Sequence, residues 1–344
     1  MTEEKISLLV IYTGGTIGMT QDPVTGALVP FNFGNIYEQM PILKRFDYRI
    51  DFFSFEPLVD SSNMKPSFWI RLAEIIESNY ENYDGFVVLH GSDTMAYTAS
   101  ALSFMLENLN KPVILTGSQL PMGVIRTDGR ENFLTSIEIA ASKDDNVATV
   151  PEVAIFFKNQ LMRGNRTTKF NAELFNAFVS GNYPLLAEVG VHIRFNRNEI
   201  LKPNFKKLKV HTKLDFNVTI LKLFPGISEN VVKSTLAIPG LKALILETFG
   251  SGNAPTDAWF LNSLEEAIKG GLLIYNVTQC KSGSVELGKY ETSLDLGRIG
   301  VIGGYDITTE SALSKLMYLI GEGYPKERII ELLQKPIRGE MTIE

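Results

Sequence analysis

Short apolar runs alternate along this chain with stretches whose apolar residues recur at helical spacing. The runs at 6–12, 49–55, 85–90, 112–115 and 153–157 are strongly apolar, most of them almost without a break. Such runs suit strands covered on both faces. After Pro66, residues Trp69, Leu72, Ala73 and Ile76 fall on one face of a predicted helix. Met95, Ala99, Leu102 and Leu106 do the same after "HGSDT", and a third helix is predicted over 129–141. The order predicts an α/β fold with a largely parallel sheet. Over 194–215 the pattern weakens. "RFNRNEILKPNFKKLK" is polar, basic and broken by Pro203, which reads as an exposed linker. A second alternation follows: strand 218–223, helix 228–234, strand 243–248, helix 257–268, strand 272–276 and helices 308–321 and 326–333. Two α/β domains are therefore expected: a larger N-terminal catalytic domain over 1–193, a linker over 194–215, and a smaller C-terminal domain over 216–344.

Composition narrows the class. A chain of 344 residues with 44% hydrophobic residues buries a sizeable core without metal or disulfide support. Its net charge of -6 argues against a basic nucleic-acid surface, and "KPNFKKLK" reads as solvated linker rather than as a nucleic-acid contact. Cys280 is the one cysteine, so no intrachain disulfide forms. The start "MTEEKISLLV" is acidic and strand-like, unlike a signal peptide. No stretch approaches the ~18 apolar residues that cross a bilayer. A cytoplasmic protein with no membrane partner is expected.

Several strands run into small, hydroxyl-rich turns: "IYTGGT", "VVLHGSDT", "VILTGSQ" and "ILETFGSGN". In open parallel sheets the ligand crevice lies beyond the carboxyl ends of the strands, so these turns should line one pocket. Metal chemistry is not expected, because His90, His192 and His211 are scattered and read as packed or surface residues. No G-x-S-x-G elbow is present for a serine–histidine triad. "TGGTIG" lacks both the Lys-Ser/Thr of a phosphate loop and the G-x-G-x-x-G spacing, so no cofactor is expected. Covalent catalysis by a threonine remains. A threonine hydroxyl is a poor nucleophile and needs a base and a stabiliser of developing charge. Ser92 and Asp93 in "HGSDT" and Lys169 in "RGNRTTK" are the candidate helpers; a lysine desolvated beside hydroxyls can act as a base. Arg163 and Arg166 read as a solvated or interface-paired set, and Arg126, Asp128 and Arg130 as braces of the turn before a helix.

The motifs together resemble the bacterial-type L-asparaginases, most closely the cytoplasmic type I branch. The residues that carry this are "YTGGTIGM" (12–19), "DSSNM" (60–64), "HGSDTMAYTASALSFMLENL" (90–109), "PVILTGSQLP" (112–121), "RGNRTTK" (163–169), "GNAP" (252–255), "NVTQC" (276–280) and "GVIGG" (300–304). They span nearly the whole chain in order. The resemblance implies hydrolysis of asparagine to aspartate and ammonia. It makes Thr13 the nucleophile, Ser92, Asp93 and Lys169 the proton-transfer set, and Asp60, Ser61, Ser62, Ser92 and Asp93 the substrate-binding groups. Thr16 is then a turn residue. It also implies a closing lid over Thr13 and a homotetramer built as a dimer of dimers. Ser92 stands where the family usually has threonine. The lid tyrosine of the family is missing from "GALVP" (26–30), with Tyr12 and Tyr37 as stand-ins. A regulatory asparagine site in the type I branch matches Thr168, Thr278, Gln279 and Cys280, but Glu247 occupies the usual arginine position. The plainer reading of Cys280 is a small buried residue. Two rival functions share the fold: a glutaminase-type amidase or amidase subunit of a tRNA-dependent amidotransferase, and a non-catalytic amino-acid sensor.

Overall fold

The computed structural model describes residues 5–21, 25–26, 28–30, 36, 40–288 and 291–343. The chain divides into two units, Met1–Val210 and His211–Glu344.

The first unit is built on an eight-stranded sheet. Its strands are β1 (Ser7–Tyr12), β2 (Arg49–Ser54), β3 (Gly85–Leu89), β4 (Val113–Thr116), β5 (Val153–Phe157), β6 (Gln160–Arg163), β7 (Ala187–Val189) and β8 (Ile193–Phe195). The spatial order is β8-β7-β6-β5-β4-β3-β1-β2. From β5 to β2 neighbouring strands are parallel, and from β5 to β8 they are antiparallel. Helices α1 (Pro66–Asn79), α2 (Met95–Met105) and α3 (Gly129–Ala141) join the parallel strands. Every residue of β3, β4 and β5 is buried, which explains why these strands read as unbroken apolar runs. Phe133 and Ile137 of α3 pack with Leu8, Val10, Val87 and Ile114 in one core.

The antiparallel strands escape pattern reading. Strand β6 follows β5 through a two-residue hairpin at Lys158 and Asn159, both at positive φ (45° and 66°). That geometry is usually announced by Asn-Gly or Asp-Gly, and a lysine in it gives no signal. The stretch expected as linker is also partly tied into the first unit. Arg194 and Phe195 belong to β8, and Lys209 and Val210 pair with Glu107 and Leu106. Between them, Leu201 N–H donates to Glu152 (2.7 Å) and Asn204 N–H to Asn110 (2.9 Å). Backbone pairing and polar side chains fasten much of this segment, and Ile200 alone of residues 196–208 joins the core, too little to make a hydrophobic periodicity.

The second unit holds four parallel strands in sequential order, β9 (Val218–Lys222), β10 (Ala243–Thr248), β11 (Leu273–Thr278) and β12 (Ile302–Gly303). Its helices are α4 (Glu229–Leu236), α5 (Ala258–Lys269), α6 (Glu291–Arg298), α7 (Thr309–Gly321) and α8 (Lys326–Leu333). Helix α6, "ETSLDLGR", was not expected: Leu296 enters the core, and one such residue makes no periodicity. Among the described residues no helix is long and apolar enough to cross a membrane.

Candidate active site

Strand β1 leads to β2 on one side of it, while β3, β4 and β5 follow on the other. Such a reversal leaves a crevice beyond the carboxyl ends of the central strands. Here those ends, of β1 and β3, carry "TGGT" and "HGSDT".

Thr13 follows β1 directly. Its N–H and its Oγ1 hydroxyl both donate to Leu89 O, at the end of β3, each at 3.0 Å. Its carbonyl accepts from Val59 N–H at 2.8 Å. The side chain is buried, at 1% exposure. The two glycines that follow are required by close approach. A Cβ on Gly14 (φ 135°) would lie 2.1 Å from Val59 O, and one on Gly15 (φ 90°) would lie 2.5 Å from Gly91 Cα. The turn is thus wedged between two other loops, and any side chain there would push them apart. Tyr12 braces it from below by donating to Gly18 O at 3.0 Å. That hydroxyl is committed to the turn. Tyr37 lies outside the described residues.

The two loops touched by the glycines hold the other expected groups. Asp60 caps a short 3-10 turn (Ser61–Asn63), accepting from Ser62 N–H and Ser62 Oγ, both at 2.8 Å. These bonds, the backbone one first, hold its carboxyl below the ordinary carboxylate pKa. Ser61 is buried and its carbonyl accepts from Thr94 Oγ1 at 2.7 Å. This bond ties the Asp60–Ser62 loop to the "HGSDT" turn.

Lys169 arrives from a distant part of the chain. Thr168–Lys169 pairs with Phe178–Val179. Lys169 Nζ donates to Ser92 Oγ at 2.9 Å and to Asp93 Oδ1 at 2.6 Å. The Lys169 side chain is 18% exposed and that of Asp93 63%, so the pair opens to solvent on the carboxylate side. The segment leading to Lys169 is rigidly held. Arg163 forms a buried ion pair with Glu152 (2.6 Å), and Thr167 Oγ1 donates to Arg163 O (2.7 Å). Arg163 and Arg166, expected as a solvated or interface-paired set, are instead buried inside the first unit, at 3% and 2% exposure. Burial of an arginine demands a partner, and the partner carboxylate lies 11 residues upstream, invisible to local reading.

The structure thus gathers Thr13, Asp60, Ser61, Ser62, Ser92 and Asp93 on three interlocked turns of the first unit, with Lys169 bonded to Ser92 and Asp93 from a fourth segment. Thr13 shares no hydrogen bond with Ser92, Asp93 or Lys169; its hydroxyl rests on Leu89 O. Chemically, Ser92 Oγ accepts from Lys169 Nζ and keeps its own proton to donate. Sequence reading did not find Thr94, nor the role of His90, whose ring is buried and bonded on both nitrogens. A hydroxyl-rich helix start after "HGSD" was the available signal.

The suggested effector residues are split. Thr168 is in the first unit and the other four in the second. Glu247 accepts from Thr309 Oγ1 (2.6 Å) and lies 3.8 Å from Lys222. Gln279 Nε2 donates to Leu223 O (2.7 Å) and Glu247 O (2.9 Å). Thr278 Oγ1 donates to Gly250 O (2.6 Å) and accepts from Cys280 N–H (3.0 Å). Cys280 is exposed, correcting the expectation of a buried residue; it lies beyond the end of β11, where the chain has left the sheet.

The chain is similar to known proteins over nearly its whole length. The family model "Asparaginase, N-terminal" matches residues 7–201, and "Glutaminase/Asparaginase C-terminal domain" matches residues 217–333. L-asparaginase 1 of Escherichia coli (strain K12) is 45% identical over 345 residues, covering 98% of this chain and 99% of that protein. A 60 kDa lysophospholipase of Mus musculus is 43% identical over 361 residues, covering 98% of this chain but 62% of that protein. The crystal structure of L-asparaginase I from Vibrio cholerae O1 biovar eltor str. N16961 superposes with a TM-score of 0.90 at 41% identity, over 99% of this chain and 100% of that one. With both family models matched in order and near full-length likeness at this identity, the chain belongs to the asparaginase family.

Proposed function

We propose that the chain hydrolyses L-asparagine to L-aspartate and ammonia through an acyl-enzyme on Thr13. The observation that carries this reading is the Lys169 bridge to Ser92 and Asp93, formed across 76–77 residues of sequence beside the Thr13 turn. In this reading Thr13 Oγ1 leaves Leu89 O and attacks the side-chain amide carbon. The C=O electron pair moves onto oxygen. Gly14 and Gly15 N–H donate to no protein group among the described residues, so they are free to stabilise that oxyanion. The Thr13 proton passes through Ser92 and Lys169 to the leaving nitrogen, the C–N bond breaks, and ammonia departs. Water then cleaves the ester, releasing aspartate and restoring the threonine. Asp60 and Asp93 suit the substrate's α-ammonium, and the Ser61 and Ser62 loop its α-carboxylate.

Purified protein is expected to release ammonia from asparagine, and Thr13→Ala to abolish it while staying folded. No release by wild type, or undiminished release by the variant, would end the reading. Glutamine differs by one methylene, which a pocket separates by only about 10–200-fold, so both amides belong in the assay. The reading includes a cytoplasmic homotetramer; sedimentation showing a stable monomer would refute the assembly. In this reading Glu247, whose carboxylate accepts from Thr309, stands where the type I branch would need a cation for a regulatory asparagine. A hyperbolic rate curve in asparagine is the expected outcome, and a sigmoidal one would restore a regulatory site.

A further inference from the structure

We propose that His90 is a positioning residue for this reaction: with its Nε2 engaged by Thr98, it donates from Nδ1 to the Gly91 carbonyl and so anchors the turn that presents Ser92 and Asp93. The inference rests on the proposed role of that turn.

The polarity of the buried chain is set at its Gly91 end. Trp69 Nε1–H is a donor only, and it meets Thr98 Oγ1 at 3.0 Å. Gly91 O is an acceptor only, and it lies 2.7 Å from His90 Nδ1. Nδ1 must therefore carry the proton. In the neutral ring Nε2 is then an acceptor, and Thr98 Oγ1, 2.9 Å away, donates its single proton to it. Trp69 comes from α1 and Thr98 from α2, so side chains of two helices complete the chain that ends on His90 Nε2. His90 and Thr98 are fully buried and Trp69 is 6% exposed, so water does not compete for these bonds. Burial also lowers the ring's pKa to about 4, consistent with a neutral histidine.

The anchored group matters because of what touches it. The Gly91 carbonyl shares a planar trans peptide with Ser92 N–H, so fixing one fixes the other. A Cβ on Gly91 would meet Ser61 Oγ at 2.5 Å, and Gly15 packs against Gly91 from the Thr13 side. Rotation of this one peptide would therefore disturb the nucleophile turn, the substrate loop and the proton-transfer set together. A misplacement of about 1 Å in such a set costs on the order of 10²-fold in rate.

The test uses full-length His90→Asn, His90→Leu and Thr98→Val. Asparagine side-chain nitrogen falls near the Nδ1 position and restores donation to Gly91 O; leucine fills the space without it. His90→Leu is expected to lose about 10²-fold in kcat, more than any change in KM, with His90→Asn recovering most of the loss. Thr98→Val is expected to fall between them. Nitrogen NMR of wild type should show a neutral His90 protonated at Nδ1. A folded His90→Leu with wild-type kcat, or equal losses in the Asn and Leu variants, would overturn the proposal. Should His90→Leu not fold, Thr98→Val and the wild-type spectrum decide it. Wild type that releases no ammonia sinks the reaction reading; an Nε2–H tautomer in an active wild type sinks this one alone.

Discussion

The two units each present polar turns at the carboxyl ends of parallel strands, yet they spend those groups differently. In the first unit, Lys169, Ser92 and Asp93 come from segments far apart in sequence, and the cluster faces solvent through Asp93. In the second, neighbouring turns consume one another: Gln279 caps Leu223 O and Glu247 O, Thr278 caps Gly250 O, and Thr248 Oγ1 donates to Asn276 Oδ1 at 2.6 Å. The second unit's fully enclosed lysine is equally spent. Lys315 pairs with Glu340 at 2.6 Å, both side chains at 0% exposure, and also donates to Lys335 O at 2.7 Å. Glu340 in turn accepts from Ile337 and Arg338 N–H, clasping the C-terminal segment. A lysine left partly open is thus available for chemistry, while one closed in, here inside helix α7, serves as a clasp.

Exchanging the lysines breaks the comparison most sharply. Lys169→Met is expected to lower kcat about 10³-fold, as loss of a proton-transfer group does. Its stability should change by about 1 kcal/mol or less, because the pair is partly solvated. Lys315→Met should do the reverse, costing about 3–5 kcal/mol by stranding a buried carboxylate, with near wild-type kcat in the folded fraction. Urea unfolding and ammonia release on both variants read the two axes, and a large rate loss in Lys315→Met would erase the distinction.

A smaller effect belongs to acid. His90 titrates near pH 4 when folded and near 6.5 when unfolded, so below 6.5 the unfolded chain binds the extra proton. Stability should therefore fall as pH drops from 6.5 to 4, by up to about 3 kcal/mol from this group. His90→Asn should lack that contribution, and an unchanged pH–stability slope in the variant would contradict it. The smallest effect is expected at Asp60. Asn caps a turn as well as Asp does, so Asp60→Asn should leave the melting temperature within a few degrees. Loss of the carboxylate should still raise KM for asparagine; an unchanged KM would remove Asp60 from substrate binding.

Much of the core was legible. Strand β5 and helix α3 match their expected spans, and β1 to β4 fall within a residue or two; for β1, β3, β4 and β5 the reason is that a doubly covered strand is apolar throughout, whereas β2 lies at the sheet edge and is partly exposed. Strand β6 and helix α6 were not legible, one hidden by a Lys-Asn turn and the other by a single core leucine. Of the site, the glycine pair announced a tight turn. It did not announce that Val59 O and Gly91 Cα occupy the space where side chains would stand. Arg163 and Arg166 were misread because their burial depends on partners elsewhere, Glu152 for Arg163.

The linear order of residues by itself determined the alternation of strands and helices, the absence of a histidine pair spaced for metal, and the candidate hydroxyl, carboxylate and amine groups. These follow from local periodicity and side-chain chemistry, which need no knowledge of neighbours. Only the tertiary structure decided that Lys169 bonds Ser92 and Asp93, that Thr13 rests on Leu89 O, and that His90 lies with Nδ1 on Gly91 O and Nε2 on Thr98. Those are distances between groups remote in the chain, and hydrogen-bond polarity exists only once donors and acceptors are brought within about 3 Å of one another.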